Sequence, residues 1–305
     1  MRYQPKHLKY RKCGKRRCLR FLLGGLFAVI FCISTYMLVK ELIQAEKEKA
    51  AFAELSALVA EAKEQEMPQA QTISPVEYAP EPIVIHVEAA AAVPPATPTP
   101  MPSPTPTPAP TPLPQYAPLY EQNSDFFGLI TIEGTDIDYP VMYSPDRPEY
   151  YLNRAFDGSY SGSGVPSIDG KCPPDGKYSL IYGHHMKNKT MFGSLPKYAD
   201  KSYYEDHPII RFDTLYEQRE YQVIAAFYSR IYDKKDAGVF RYYEYTDLSD
   251  QEVFDEHIRQ VKAAAIYDTG LSAEYGDELL ALSTCNYHTQ DGRFVVVAKR
   301  IATLR

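Results

Sequence analysis

Apolar and polar residues divide the chain into one long apolar run near its start and many short apolar runs in its second half. Residues 21–39 are 19 uncharged, mostly apolar residues, about the length an α-helix needs to cross the hydrocarbon layer of a membrane. The run is longer than the apolar part of a typical signal peptide, and no small-x-small cleavage site precedes Lys40. The pattern predicts an uncleaved transmembrane helix over 21–39.

Two segments separate this helix from the second half of the chain. Residues 40–67 are rich in Ala, Glu, Lys and Leu, with apolar positions at helical spacing, which predicts a juxtamembrane helix. The heptads are not sustained, so a solvated spacer is favoured over a short coiled coil. Residues 68–115 form a Pro-rich linker, in which 11 of the 21 residues from 94 to 114 are proline. This composition favours an extended polyproline stalk.

Residues 116–305 are expected to form a single folded domain, which is long enough for its own core. Short β-rich runs recur along it, and Gly or Pro marks most of the gaps. Many short strands with few helices predict an antiparallel sheet closed into a barrel. The predicted strands are 127–132, 137–142, 178–182, 209–213, 220–228, 279–283 and 294–301.

One helix is predicted inside the domain. Ser249 and Glu252 have the spacing of a capping box, and apolar residues follow them at helical spacing over 250–265. This helix falls in a connection of about 50 residues between two predicted strands, and connections that long usually carry function.

Charge is distributed unevenly. The first 20 residues hold nine Lys or Arg and no acidic residue, whereas the whole chain has a formal charge of -6. Because the basic tail 1–20 adjoins the apolar run and the rest is acidic, nucleic-acid binding is not expected. Positive flanks stay on the cytoplasmic side, which predicts a cytoplasmic N-terminus and an extracellular domain.

Five cysteines are present, and this topology exports only Cys172 and Cys285. The two could form one disulfide in an oxidising compartment. A core of this size does not need such a link, so we expect Cys172 to be a buried or loop thiol.

Three positions in the domain carry candidate chemistry. Cys285 ends one apolar run, His184 and His185 follow Gly183 at the end of another, and Arg293 precedes a Val-rich run. A thiolate can attack a carbonyl, a nearby imidazole can carry the proton, and a guanidinium can stabilise the oxyanion. Together these residue types suffice for acyl transfer.

Each of these residues also has an ordinary structural interpretation. Cys285 could be a small buried hydrophobe, His184 a hydrogen-bonded structural residue and Arg293 a solvated charge at a strand edge. A zinc site using Cys285, His288 and the two adjacent histidines lacks the paired spacings usual for zinc. We expect no metal and no cofactor.

Several motifs are similar to those of one family. These motifs are the segments 134–142, 150–154, 182–186, 190–195 and 282–285, together with Arg293 before the Val-rich strand. In them the domain resembles the sortases of Gram-positive bacteria, most closely class B, from about residue 126 to the C-terminus. The segment 167–172 departs from the more aromatic turn of the family.

The resemblance implies a closed eight-stranded β-barrel with a few short helices. It also implies a transpeptidase that cleaves a C-terminal sorting signal of a surface protein through a thioester. The acyl group then passes to an amine of a peptidoglycan precursor or a pilin. The helix-bearing connection resembles a class B loop that forms one wall of the substrate groove.

Site residues are carried over one by one. Cys285 becomes the nucleophile, His184 the acid/base and Arg293 the oxyanion or substrate-positioning residue, while His185 is the weaker candidate for the base. For substrate binding the expected residues are Ser283, Thr284 and Asn286, the last through its backbone N–H.

Two other classes of function remain. One is a surface binding or scaffold protein that keeps the fold without the chemistry. The other is a cysteine transpeptidase that acts only within peptidoglycan, although the cysteine there usually has a Gly-rich context. Papain-like proteases place Cys before His in the chain, the reverse of the order found here.

Overall fold

The computed structural model describes residues 15–66 and 111–304. The predicted basic tail 1–20 and Pro-rich linker 68–115 fall largely outside these residues. The chain divides into two units after Leu55.

A single long helix occupies the described part before the linker. Helix α1 (Lys15–Glu66) is continuous, so the apolar run and the Ala/Glu-rich segment after it belong to one helix. Among the described residues, its stretch Leu23–Glu64 is the one helix long and apolar enough to cross a membrane, with a mean hydropathy of 1.9 in its most apolar part. Its apolar side chains up to Val39 are exposed, as a lipid-facing surface would be.

Eight strands form a closed barrel in the order β1-β2-β3-β4-β7-β8-β6-β5. The seven predicted runs each correspond to a strand, and the eighth strand, β3, has only two residues. The strands are β1 (Phe126–Thr131), β2 (Asp138–Met142), β3 (Ser167–Ile168), β4 (Tyr178–Tyr182), β5 (Ile209–Thr214), β6 (Gln218–Arg230), β7 (Leu279–Cys285) and β8 (Gly292–Leu304).

The barrel is not wholly antiparallel, which corrects the expectation from the sequence. Strand β2 pairs with β3, and β4 with β7, in parallel. Between β4 and β7 the chain forms β5 and β6 and then crosses back, so β7 starts at the same end of the barrel as β4. Such a crossover depends on the whole topology and cannot be predicted from the local pattern of apolar and polar residues.

Strand β7 leads from the core to the surface. Every residue of β7 is buried except Cys285, which is half-buried. A continuous apolar run of this kind is typical of a strand covered on both faces. Burial on both faces therefore holds β7 in place, whereas the side chain of its last residue, Cys285, remains accessible.

The barrel connections carry short helices: α2 (Ala117–Gln122), α3 (Lys201–Asp206) and α4 (Gln251–Ala264), with 3-10 turns at Tyr150–Asn153, Leu195–Ala199 and Tyr242–Glu244. Helix α4 begins one residue later than the predicted capping box requires. The Asp250 carboxylate, not the Ser249 hydroxyl, accepts from the Val253 N–H at 3.0 Å. Asp is as good a cap as Ser, and here it lies at the position with extended backbone.

Candidate active site

Three adjacent strands bring the predicted chemistry together. On β7 and β8, Cys285 and Arg293 are register partners. On the other side of β7, Tyr182 of β4 is the partner of Ser283, so the two histidines that follow β4 leave the sheet beside the end of β7. Residues about 100 positions apart thus meet at one end of the barrel.

The turn after β4 is shaped by a glycine. A Cβ on Gly183 would lie 2.6 Å from the ring of buried Phe192, too close for any side chain. Phe192 in turn donates its backbone N–H to the His184 carbonyl at 3.0 Å. The Thr284 hydroxyl donates to the Gly183 carbonyl at 2.7 Å, which ties this turn to β7. The backbone that carries His184 is therefore held from two sides.

The ring of His184 is oriented by a backbone carbonyl. Its Nε2 lies 2.8 Å from the carbonyl oxygen of Leu152, in the 3-10 turn Tyr150–Asn153. Because a carbonyl only accepts, this contact assigns the proton to Nε2 and leaves Nδ1 as the basic nitrogen. The contact therefore holds His184 in one tautomer, in which Nδ1 can accept a proton.

The second histidine contacts the main chain of the nucleophile. Nδ1 of His185 lies 2.8 Å from the Cys285 carbonyl oxygen and donates to it. Its ring packs on the exposed ring of Tyr287 at a centroid distance of 5.6 Å. His185 thus holds the end of β7, and its Nδ1 is occupied.

Arg293 is anchored by one nitrogen. Its Nη1 donates to the carbonyl oxygens of Asp291 and Gly292 at 3.3 and 3.0 Å. Among the residues described, these hydrogen bonds come from Nη1 alone, so Nε and Nη2 are available to a ligand. A planar guanidinium held at one corner still presents a directed pair of donors.

The three predicted substrate-binding residues make hydrogen bonds within the protein. Ser283 is 1% exposed and its hydroxyl lies 2.7 Å from the Tyr242 hydroxyl. Thr284 is 2% exposed and bound to Gly183. The backbone N–H of Asn286 donates to the Gly292 carbonyl at 2.9 Å and is not free for an oxyanion. These hydrogen bonds connect the end of β7 to its neighbours.

Sequence reasoning missed two contributors to the site. Tyr242 is buried below the nucleophile, and burial raises the pKa of its hydroxyl to about 12 although Ser283 and Arg293 lower it. Leu152 contributes its carbonyl to His184. The aromatic segment around Tyr242, inside the long connection, could have indicated that residue from the sequence. No sequence pattern indicates which backbone carbonyl, such as that of Leu152, will contact a side chain.

The other cysteine of the barrel, Cys172, has a different environment from Cys285. Cys172 is buried, and burial raises the pKa of its thiol to about 12. Both Cys172 and Cys285 are free thiols, so they do not form a disulfide with each other. Within residues 15–66 and 111–304 there is no group of three His, Cys, Asp or Glu side chains that could hold a metal ion.

A groove of about 490 Å³ lies elsewhere on the barrel. It is lined by the connection between β5 and β6, including Tyr216, and by the loop before β4. Since β6 starts where β8 ends, the groove lies at the end of the barrel opposite Cys285.

Comparison with known proteins agrees with this architecture. Residues 130–301 match the family model for the sortase domain. Sortase B of Staphylococcus aureus (strain NCTC 8325 / PS 47) is 30% identical over 191 residues, covering 61% of this chain and 75% of the relative.

Two solved structures superpose on the domain. A Staphylococcus aureus sortase B–substrate complex has a TM-score of 0.54 and 29% identity, covering 62% of this chain and 85% of that one. A sortase B complexed with triglycine has a TM-score of 0.55 and 29% identity, covering 62% and 86%.

The closed eight-stranded barrel and these matches together identify the chain as a cysteine transpeptidase. The chain belongs to the sortase family, and within it to the class B-like sortases.

Proposed function

We propose that the protein cleaves a C-terminal sorting signal of surface proteins and transfers the acyl group from Cys285 to a cell-wall or pilin amine. The observation that carries the proposal is the register pairing of half-buried Cys285 with Arg293, next to the strand end that bears His184. This arrangement supports a nucleophile, an oxyanion donor and a base held on rigid strand ends.

In the first half of the reaction His184 takes the Cys285 proton at Nδ1, and the thiolate attacks the scissile carbonyl carbon. Negative charge develops on the carbonyl oxygen, where the free Nε and Nη2 donors of Arg293 stabilise it. The intermediate collapses as the carbon–nitrogen bond breaks, and His184 returns the proton to the leaving amine. The product is a thioester on Cys285.

In the second half an acceptor amine resolves the thioester. The names of two solved relatives support both substrates, since one is a substrate complex and the other a complex with triglycine. The same Arg293 donors serve the second tetrahedral intermediate, because its oxyanion forms at the same carbon.

The proposal includes the placement of the chain. Residues 21–39 of α1 anchor it in the cell membrane, residues 1–20 stay in the cytoplasm, and residues 116–305 work outside. The apolar stretch of α1 supports a membrane anchor, and the basic tail supports this orientation.

A peptide library incubated with the full chain in detergent tests the function, with cleavage products and protein adducts measured by mass spectrometry. We expect one motif to be cleaved and a thioester of that mass on Cys285. Cys285→Ala should show neither while keeping the wild-type circular dichroism spectrum. Turnover by Cys285→Ala would overturn the mechanism, and a wild-type protein that binds but never cleaves would favour a scaffold.

A further inference from the structure

Exposed aromatic rings flank the nucleophile in the connection between β7 and β8. Tyr287, two residues after Cys285, is 78% exposed. Its ring packs on His185, whose Nδ1 is held by the Cys285 carbonyl. On the other side of the connection, the His288 ring lies 4.9 Å from that of Tyr228, which is 45% exposed. The most exposed of these rings is therefore linked to the nucleophile through one histidine.

The backbone that presents Tyr287 is fixed. The Asn286 N–H donates to the Gly292 carbonyl at 2.9 Å, and the Asn286 side-chain oxygen accepts from the His288 N–H at 3.0 Å. Gly292 permits this close return, since a Cβ there would collide with the Asn286 carbonyl. Tyrosine has few rotatable bonds, so an exposed ring on such a backbone is a preorganised contact surface.

The ring itself and one carboxylate in the same connection can attract a cation. The face of an aromatic ring attracts an ammonium group, an effect worth about twofold to fivefold in binding at an exposed site. Asp291, in the same connection, adds an exposed carboxylate. Two arginines lie beside this connection: Arg293, whose Nη1 donates to the carbonyl oxygens of Asp291 and Gly292, and Arg230, the register partner of Gly292, which pairs with Asp236 at 3.6 Å.

We propose that the ring of Tyr287 receives the ammonium group of the acyl acceptor and so favours transfer to an amine over hydrolysis. The inference rests on the proposed function and names the part of the site that selects the second substrate. The bound ammonium loses one proton to solvent, its nitrogen bonds to the thioester carbonyl carbon and the carbon–sulfur bond breaks. The second nitrogen proton passes through His184 to the departing sulfur, so Cys285 ends as a free thiol.

The test measures how the acyl-enzyme partitions between amide and acid products. The full chain is incubated with the peptide that the library identifies and with one of two acceptors at neutral pH. Triglycine carries an ammonium group, whereas hydroxylamine is largely uncharged at this pH and also attacks thioesters; each acceptor is compared only with its own wild-type ratio of aminolysis to hydrolysis. The variants are Tyr287→Ala and Tyr287→Phe, with Tyr216→Ala as the matched control. Tyr216 is also an exposed tyrosine, 44% exposed, at the opposite end of the barrel.

For Tyr287→Ala we expect the amide-to-acid ratio with triglycine to fall about twofold to fivefold, while the ratio with hydroxylamine stays at its wild-type value. Tyr287→Phe should keep the triglycine ratio because it keeps the ring, and Tyr216→Ala should match wild type with both acceptors. An unchanged triglycine ratio in Tyr287→Ala would overturn the inference, as would an equal fall with both acceptors. Absence of any thioester in the wild-type protein would instead overturn the proposed function, and this inference with it.

Discussion

Neighbouring histidines in the site differ in what their rings contact. Nε2 of His184 is bound to the Leu152 carbonyl, which leaves Nδ1 as a free base. Nδ1 of His185 is bound to the Cys285 carbonyl. These contacts cannot be predicted from the sequence, and they support the proposal that His184 moves protons while His185 positions its neighbour.

His184→Ala should therefore slow acylation of Cys285 by about 100-fold or more, the usual cost of losing a general acid/base. His185→Ala should cost clearly less, because it removes a positioning contact only. His185→Gln, which retains a side-chain N–H donor, should recover part of that loss. Single-turnover thioester formation, followed by mass spectrometry in all three variants, measures these effects. A larger loss in His185→Ala than in His184→Ala would reverse the two assignments.

At the scale of elements, the strands with a strong local pattern could be predicted and the others could not. The run ending at Cys285 is apolar enough to be recognised as a buried strand, and β7 indeed lies there. Strand β3 is too short for any periodicity, and its residues Ser167 and Ile168 pair with strands far away in sequence. The parallel pairing of β4 with β7 likewise depends on how the whole chain returns.

In the candidate site, too, some features could be predicted from a local sequence pattern and others could not. Cys285, Arg293 and the two histidines could be found because each stands at the end of a recognisable strand. Ser283 and Thr284 are predicted to bind substrate from the resemblance alone, and the contacts of their hydroxyls with Tyr242 and the Gly183 carbonyl could not be predicted. Side-chain direction at a strand end depends on register and local twist, which a single sequence does not specify.

Helix α4 contains a buried histidine with an unusual environment. His257 is fully buried, and neither ring nitrogen has a hydrogen-bond partner among the described residues. The rings of Tyr178, Phe240 and Tyr245 surround it at centroid distances of 5.4, 5.7 and 4.8 Å. Burial lowers its pKa from 6.5 to about 4, so the neutral form is the one that packs. The packing of α4 is therefore sensitive to protonation of His257.

The sign of the pH effect follows from this shift. The folded-state pKa is depressed, so the stability associated with His257 is fully present above the unfolded pKa of about 6.5 and is lost as pH falls toward about 4. The loss should reach about 2 to 3 kcal/mol at pH 4. His257→Phe keeps an aromatic ring and cannot be protonated, so its stability should fall less over the same range. It should also be at least as stable as wild type at neutral pH, because two unpaired buried nitrogens are removed.

Urea denaturation of both proteins at several pH values measures the difference. Groups that titrate equally in the two proteins, such as Asp213, whose pKa burial raises, cancel from it. Parallel pH dependence in wild type and His257→Phe would contradict the proposed linkage.

At the scale of the whole molecule, the five cysteines are distributed over the basic N-terminal segment, the apolar stretch of α1 and the barrel. Cys285 is half-buried at a strand end, and Cys172 is buried with a pKa raised by burial to about 12. Cys32 lies in the apolar stretch of α1, and Cys13 and Cys18 belong to the basic N-terminal segment. Because the reactive species is the thiolate, an accessible thiol reacts far faster than a buried one with a raised pKa.

This distribution tests the proposed orientation in intact cells. A membrane-impermeant maleimide should label the wild-type protein at Cys285 alone, because the proposed orientation puts Cys13 and Cys18 in the cytoplasm and Cys32 in lipid, while Cys172 is protected by burial. Cys285→Ala should remain unlabelled until the cells are opened, after which Cys13 and Cys18 should react. Peptide mapping of the labelled protein identifies the modified thiols. Because the wild type carries all five cysteines, the labelling of each thiol is compared with that of the others in the same protein. Labelling of Cys13 or Cys18 in intact cells, with Cys285 protected, would reverse the orientation and place the catalytic domain on the cytoplasmic side.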